Sequence, residues 1–149
     1  MENNLDLVKK EAEQLLAKIG LEGTVTVTDD ENGYKLAIDS SDNALLIGKH
    51  GNTLSSFEYI LAQIIAAQSE EFKRVIVEVG GYREEREAYL QDLALRLKDE
   101  VVTSGRDKII RGLKPWERRH IHMIFVDDKE VVTESEGEDR ERVLVLKKK

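Results

Sequence analysis

Two short stretches of the sequence carry residues whose types and spacing suit contact with phosphate groups. The first is Ile47-Gly48-Lys49-His50-Gly51, in which two glycines three positions apart flank a basic pair. Because glycine has no β-carbon, the backbone of such a turn can approach another chain closely, and its N–H groups lie near the start of the next helix. The lysine adds a positive donor and the histidine a ring that can donate or stack. We therefore predict a turn that grips a phosphate backbone.

The second stretch is Arg118-x-x-x-His122, with Arg119 beside it. On a helix, residues four positions apart lie on one face, so Arg118 and His122 can meet a phosphate or a base edge together. The surrounding segment, residues 105–122, holds six basic residues against two acids. Its other basic residues are predicted to add a diffuse positive field, and they are Arg106, Lys108, Arg111 and Lys114.

Composition restricts the class of protein. The 149 residues carry a net charge of -7 and are 40% hydrophobic, which is enough for one core or two small ones. The absence of cysteine excludes disulfides, thiolate zinc sites and cysteine nucleophiles. We find no apolar run of bilayer-spanning length, so we expect no membrane insertion and a cytoplasmic location. Eight acids in residues 127–141 show that the acidic charge is concentrated, and an acidic whole can still carry a basic patch.

Catalysis is not predicted. A metal-dependent hydrolase would need His50, His120 and His122 together with nearby acids, but the last two are two positions apart and diverge by about 200° on a helix. Only a strand over residues 120–126, which the local alternation leaves open, would let them share an ion. With no phosphate-loop or nucleophile motif either, we predict no catalytic residues, no metal, no cofactor and no enzyme. A protein-interaction adaptor with an acidic surface stays open as the alternative function.

Periodicity surrounds the glycine turn with the elements of a first domain. Apolar residues at helical spacing from Leu5 to Ile19 predict a helix, and Gly20 its end. Alternation predicts strands over 24–28 and 34–38, joined as a hairpin by Asp-Glu-Asn-Gly. A short helix ending at Ile47, a helix from Leu54 to Ile65 and a strand over 74–79 complete the order αββααβ. This predicts one sheet with helices on one face.

A second domain is predicted to begin with a long helix from residue 82 to Gly105. A strand over 108–111, a helix starting near Pro115, and strands over 131–136 and 140–146 follow, with residues 147–149 as a solvated tail. The second half therefore reads αβαββ. The predicted fold class is α+β with two small domains, residues 1–81 and 82–149.

The string Leu46-Ile47-Gly48-Lys49-His50-Gly51-Asn52-Thr53-Leu54, set between two helices, resembles the signature of a type II KH domain. In KH domains the Gly-x-x-Gly loop clamps about four nucleotides of a single strand. The resemblance implies that residues 48–51 contact the RNA backbone and that Ile47 and Leu54 flank a groove for the bases. Core packing is the alternative for these two apolar residues.

The string Pro115-Trp-Glu-Arg-Arg-His-Ile-His122 carries the Arg-x-x-x-His pattern that gives the R-three-H domain its name. Together with Gly-Gly-Tyr-Arg-Glu-Glu-Arg-Glu at residues 80–87 and Thr-Glu-Ser-Glu-Gly at 133–137, it is similar to the bacterial Jag (KhpB) family. Family members tend to carry Pro-Met where this sequence has Gly112-Leu113, and often begin with a further domain that we expect this chain to lack. The resemblance implies a regulator that binds single-stranded RNA in growth, envelope synthesis or sporulation, with a small separate KH protein as a partner.

Overall fold

The computed structural model describes residues 3–149. It separates into two compact units, Met1–Arg83 and Glu84–Lys149. The first helix, α1, spans Asn4–Lys18, and the side chain of Asn3 caps it by accepting the N–H of Leu5. Three small or branched apolar residues spaced four apart, Val8, Ala12 and Leu16, are buried on one face, as the periodicity predicted.

The first sheet has three strands in the order β1-β2-β3. Their bounds are β1 Gly23–Asp30, β2 Gly33–Ser40 and β3 Val75–Val79. The hairpin β1-β2 is antiparallel, and β3 lies parallel to β2 with Val75 opposite Tyr34. Alternate residues of β2 are buried, which leaves one face of the strand for the core and the other for solvent.

Two helices on either side of the glycine turn complete the first unit: α2 Asn43–Ile47 and α3 Asn52–Gln68. The buried residues of α1, α2, α3 and the sheet form one apolar cluster that includes Leu46, Phe57 and Leu61. Burying such side chains contributes roughly 1.5–3 kcal/mol each, so this cluster stabilises the unit that holds the turn. The order αββααβ is the predicted one and is confirmed.

The second unit contains most of the long helix and a separate antiparallel sheet in the order β4-β6-β5. The division between the units falls between Arg83 and Glu84, within the first turn of the long helix. The elements are α4 Tyr82–Ser104, β4 Lys108–Ile110, α5 Pro115–Ile124, β5 Val131–Glu136 and β6 Val143–Lys148. The predicted order αβαββ and the α+β class are therefore confirmed. Residues 120–124 are helical, which decides against the strand left open for this segment.

The prediction of a solvated tail was wrong. Lys147 and Lys148 belong to β6, where they pair with Val132 and Val131. The last residue, Lys149, donates its backbone N–H to the carbonyl of Glu130. The strand also begins at Val143 instead of residue 140, because residues 139–141 form a 3-10 turn. Lysine has little intrinsic strand preference, but backbone pairing with β5 holds these residues in the sheet.

Within residues 3–149, no helix combines the length and the apolar character needed to cross a bilayer.

Candidate nucleic-acid interface

The glycine turn is a tight backbone reversal between α2 and α3. Gly48 ends α2 at φ +71°, residues 49–51 make a single 3-10 turn, and α3 begins at Asn52. Within the turn, His50 adopts φ +54° and Gly51 φ +74°, so two successive residues are left-handed. Residues other than glycine seldom adopt a positive φ, and histidine is one of the few that do so more often than the rest.

The conformation and packing of the chain itself favour glycine at both positions. A β-carbon at Gly48 would lie 2.7 Å from the Cβ of Thr53, and one at Gly51 would lie 2.8 Å from the ring of Tyr82. Such distances are too short for non-bonded carbon atoms. At Gly48 the obstacle lies next to the backbone of Thr53, so a side chain there would force the turn to open. At Gly51 the obstacle is the far end of the Tyr82 side chain, and the positive φ is the stronger reason for glycine. The Gly-x-x-Gly spacing therefore fixes the shape of the turn, in addition to the close approach of a second chain that the sequence suggested.

The two residues between the glycines lie on the surface of the first unit. Lys49 and His50 are both exposed, whereas Gly51 is buried. Gly51 is also the N-cap of the 17-residue helix α3, so no cap side chain occupies the first-turn N–H groups, and no acid is present in that turn. A helix N-terminus carries partial positive charge. Lys49 and the helix terminus together make this corner electropositive.

The apolar residues beside the turn divide between surface and core. Leu54 is buried, and Ile47 is half-buried and packs against the first core cluster. Core packing accounts for both side chains, and the role of Ile47 in a groove stays a prediction. Leu45, one turn of α2 away, is 66% exposed and supplies apolar surface near the same corner.

The second candidate site lies on α5. The side chain of Arg118 donates from Nη1 to the carbonyl of Leu113 at 2.7 Å, and His122 Nδ1 lies 2.6 Å from Oγ1 of Thr133. Each residue of the Arg-x-x-x-His pair is thus anchored by one intramolecular hydrogen bond. The remaining guanidinium donors and the Nε2 atom of His122 are the groups that this geometry leaves for a ligand.

The anchor of Arg118 belongs to the peptide unit that joins Leu113 and Lys114. Its carbonyl accepts from Arg118, and its N–H donates to Oε2 of Glu117 at 2.9 Å. The other oxygen of Glu117 accepts from Nε of Arg86 at 2.9 Å. Glu117 is buried and Arg86 largely so, which makes this a charge-assisted bond shielded from solvent. Two arginines from different helices are therefore fixed to a single peptide unit.

The auxiliary basic residues differ in their surroundings. Arg106, Arg111 and Arg119 are exposed. Lys108 pairs with Oε2 of Glu100 at 2.9 Å, and this hydrogen bond lowers the pKa of the Glu100 carboxyl. The pKa of Lys114 is lowered, chiefly by burial, against the opposing effect of Glu117. The positive field predicted for residues 106–114 is therefore partly offset at Lys108.

The two histidines of α5 lie two positions apart on the helix. His120 is half-buried and His122 exposed on the helix α5, so the two imidazoles diverge as the spacing predicted for a helix. Across residues 3–149, we find no cluster of three His, Asp or Glu side chains arranged to hold a metal ion. The Nε2 atom of His120 is buried and has no hydrogen-bond partner among the described residues.

Two supporting residues were missed from the sequence. Glu117 lies at the third position of a helix that begins with Pro115, a placement typical of a carboxylate that accepts from the N-cap backbone, so a local signal existed. Thr133 gave no such signal, because its partner His122 belongs to a different element. Only the fold brings the two together.

Comparison with protein families matches two successive domains of the chain. The family model for the KH domain of KhpA/KhpB matches residues 6–79, and the model for the R-three-H domain matches residues 88–148. These matches follow one another along the chain in the order in which the glycine turn and the Arg-x-x-x-His helix occur.

Several curated relatives are named RNA-binding protein KhpB. The protein from Clostridium symbiosum is 32% identical over 123 residues, covering 83% of this chain and 55% of its own length. Those from Lactiplantibacillus plantarum and Bacillus subtilis are each 30% identical, covering 96% and 84% of this chain and 45% and 61% of their own.

The chain spans about half the length of the curated relatives it matches. Within that span the two domain models follow one another and together account for most of the residues. The chain therefore belongs to the Jag (KhpB) family, in which a KH domain of the KhpA/KhpB kind is followed by an R-three-H domain.

Proposed function

We propose that this chain binds single-stranded RNA without chemical turnover, through the glycine turn of the first unit and the Arg118–His122 helix of the second. The observation that carries the proposal is the exposed pair Lys49 and His50, held in a left-handed turn at the uncapped start of α3. The names of the relatives, which describe RNA-binding proteins, support the same ligand class.

The glycine turn suits a phosphate backbone better than a base or a metal. Backbone N–H groups at a helix start bind anions, and Lys49 adds a mobile charge. His50 can donate to a phosphate oxygen or stack on a base. In the family's KH domains the turn clamps a few nucleotides while bases lie in a neighbouring groove. The exposed Leu45 beside the turn supports an apolar contribution from α2.

The second site is suited to a directed contact. An arginine fixed at one nitrogen presents its remaining donors in a defined plane, which favours paired hydrogen bonds to a phosphate. Arg119, exposed on the next position of α5, adds charge. Both sites would lie on one strand, so their affinities combine through effective concentration.

Turnover is not part of the proposal, because the buried carboxylate of Glu117 and the half-buried carboxylate of Glu58 are already engaged in structural roles. Glu117 is fixed between Arg86 and a backbone N–H, and Glu58 accepts the N–H of Val77. A general acid or base must instead reach the reacting atoms. A regulatory role, a cytoplasmic location and a small separate KH protein as partner remain predictions from the family resemblance.

A protein-interaction adaptor is the second candidate. The exposed apolar residues Tyr59 and Ile60 on α3 favour it, since adjacent exposed apolar side chains mark contact surfaces. One observation opposes the adaptor. Glu134, one of the acids of residues 127–141, already pairs with Lys147 within the second sheet. An adaptor would bind a protein with no dependence on Lys49 and His50.

The test is the double variant Lys49→Asp/His50→Asp. Aspartate tolerates the left-handed conformation of position 50, so the turn is retained while two negative charges face the phosphates. Affinity for a single-stranded RNA should fall by about 1–3 kcal/mol, the range for lost charge-assisted hydrogen bonds. The control Lys9→Asp/Lys18→Ala makes the same change in net charge on exposed positions of α1 and should bind nearly as the parent does.

Salt dependence separates the two candidate functions. If phosphates are bound, the logarithm of affinity falls linearly with the logarithm of salt concentration, and the Lys49→Asp/His50→Asp slope is shallower. Equal affinities and slopes for parent, variant and control would reject the glycine turn as an RNA site. An unlabelled duplex that competes as well as the single strand would reject the base groove.

A further inference from the structure

Tyr89 presents an aromatic ring on the surface of the second unit. It lies in the second turn of α4 and is 54% exposed, whereas the unit's other aromatic residues, Trp116 and Phe125, are half-buried and buried. One turn away on α4, the guanidinium carbon of Arg86 lies 5.0 Å from the centroid of the Tyr89 ring. This is the distance of a cation–π contact, so the ring has a fixed charged neighbour.

Arg86 is itself held by the network around α5. Its Nε donates to Glu117, which is 1% exposed and also accepts the N–H of Lys114. The carbonyl of the same peptide unit accepts from Arg118. A chain of hydrogen bonds thus connects the guanidinium beside Tyr89 with the guanidinium of the Arg-x-x-x-His pair. The ring is placed relative to Arg118 by rigid contacts, although it remains on the surface.

We propose that Tyr89 is a stacking platform for a nucleobase of the single strand whose phosphate meets Arg118. The inference rests on the proposed function and extends it to a base contact. An exposed aromatic ring offers a π-face to any base, and such stacking needs no hydrogen-bond readout. A ring already ordered by Arg86 loses little freedom when the base binds.

The cations near the start of α5 support this ligand class, whereas on α4 itself two exposed acids, Glu85 and Asp92, lie one turn to either side of Tyr89. Arg86, Lys114 and Arg118 all carry positive charge near the start of α5, and Glu117 offsets only one of them. A strand drawn to these cations by its phosphates would carry its unpaired bases along the same surface. A folded duplex would not, because its bases are already stacked on each other.

The experiment compares Tyr89→Ala, Tyr89→Phe and the parent chain on two ligands: a single-stranded RNA and an abasic strand of equal length and charge. With RNA, the alanine variant should bind about 5- to 150-fold more weakly, the range for one stacked base, and phenylalanine should restore binding to within about twofold. With the abasic strand, all three should bind alike. The salt slope should stay constant, because no phosphate contact is removed.

Leu95→Ala is the matched control. Leu95 is on the same helix and 47% exposed, so its truncation removes similar apolar surface without an aromatic ring and should leave RNA binding unchanged. A Tyr89→Ala variant that binds RNA as the parent does would overturn the platform alone. An equal loss on RNA and abasic strand would also overturn it, since the ring would then act without a base. A parent that binds neither strand would reject the proposed function, and the platform with it.

Discussion

His122 Nδ1 lies 2.6 Å from Oγ1 of Thr133, a β5 residue that is 5% exposed. The hydroxyl belongs to the sheet and the imidazole to α5, so the fold itself fixes the rotation of the ring. Because Nδ1 is engaged, Nε2 is the ring nitrogen left for an outside partner. The histidine of the Arg-x-x-x-His pair is thus oriented from beneath by a buried threonine.

Replacing Thr133 by valine keeps the shape of the side chain and removes the hydroxyl. We expect Thr133→Val to weaken RNA binding by about 0.5–1.5 kcal/mol, the net value of one hydrogen bond, because the ring loses its fixed orientation. Nitrogen NMR of the imidazole should report a changed environment at Nδ1. Thr133→Ser keeps the hydroxyl and should preserve both the NMR signal and the affinity, although losing the buried methyl lowers its stability. Equal binding by the valine variant would contradict this orienting role.

Gly48 and Gly81 both have a positive φ, +71° and +72°, but differ in their surroundings. A β-carbon at Gly81 would meet no atom within 4 Å, whereas one at Gly48 would collide with Thr53. Gly81→Ala should lower the free energy of unfolding by about 1–2 kcal/mol, the cost of a left-handed alanine. Gly48→Ala should cost a further 1–3 kcal/mol, roughly the cost of overpacking. Equal urea-unfolding midpoints for Gly48→Ala and Gly81→Ala would contradict this, because they would show that Thr53 shifts to accommodate the new β-carbon.

Glu58 on α3 accepts the N–H of Val77 with Oε1 at 3.2 Å. Burial raises the pKa of the Glu58 carboxyl, and this outweighs the opposing effects of the Val77 hydrogen bond and of Arg83. The folded state therefore binds the proton more tightly than the unfolded state does. The resulting stabilisation is full below the ordinary pKa of 4.5 and is lost as pH rises through the raised value.

Glu58→Gln keeps an oxygen for the N–H of Val77 but cannot ionise. We expect it to unfold with a higher free energy than the parent at pH 7, and with little difference at pH 4, where the parent's carboxyl is largely protonated in the folded state. Urea unfolding at several pH values measures this. The control Glu70→Gln, at an exposed position, should follow the parent throughout. A Glu58→Gln variant that is less stable at pH 7 would mean that attraction to the nearby arginines exceeds the cost of burial.

Most of the fold could be predicted because its local signals agree with its tertiary structure. The glycines at residues 20, 48 and 105 each lie one or two positions after the end of a helix. In β2, the alternation of apolar and polar residues matches the alternation of buried and exposed positions. The Gly-x-x-Gly spacing also predicted the turn before α3. Each of these patterns lies within a single helix, strand or turn. The hydrophobic periodicity and the residues that end an element are therefore visible from neighbours in sequence.

The remaining features depend on partners distant in sequence. Arg86 and Glu117 are 31 residues apart, and no spacing rule connects them. The C-terminal lysines appeared to be a tail because lysine is usually exposed, yet β5 supplies the backbone partners that order them. The Arg118–His122 pair was correctly placed on one helix, but the Leu113 and Thr133 contacts that orient it come from the loop before α5 and from β5.

The Arg86–Glu117 pair allows a test of how strongly the second site is held. In Arg86→Met the carboxylate of Glu117 remains buried without its cation, so the free energy of unfolding should fall by about 3 kcal/mol. Glu117→Gln retains an acceptor for the N–H of Lys114 and buries no charge, and should cost less. The double variant should recover much of the loss of Arg86→Met, because the uncompensated charge is gone. The three variants and the parent form a double-mutant cycle in urea.

Lys147→Met is the control for this cycle, since its pair with Glu134 has a similar distance of 2.8 Å but is exposed to solvent. Solvent screens such a pair, so its loss should change stability little. If Arg86→Met costs no more than Lys147→Met, the carboxylate of Glu117 must rehydrate or gain a proton, and the network does not hold Arg118 rigidly. If Arg86→Met is strongly destabilising and also weakens RNA binding beyond what the loss of one charge explains, the same buried pair stabilises the unit and orients its binding site.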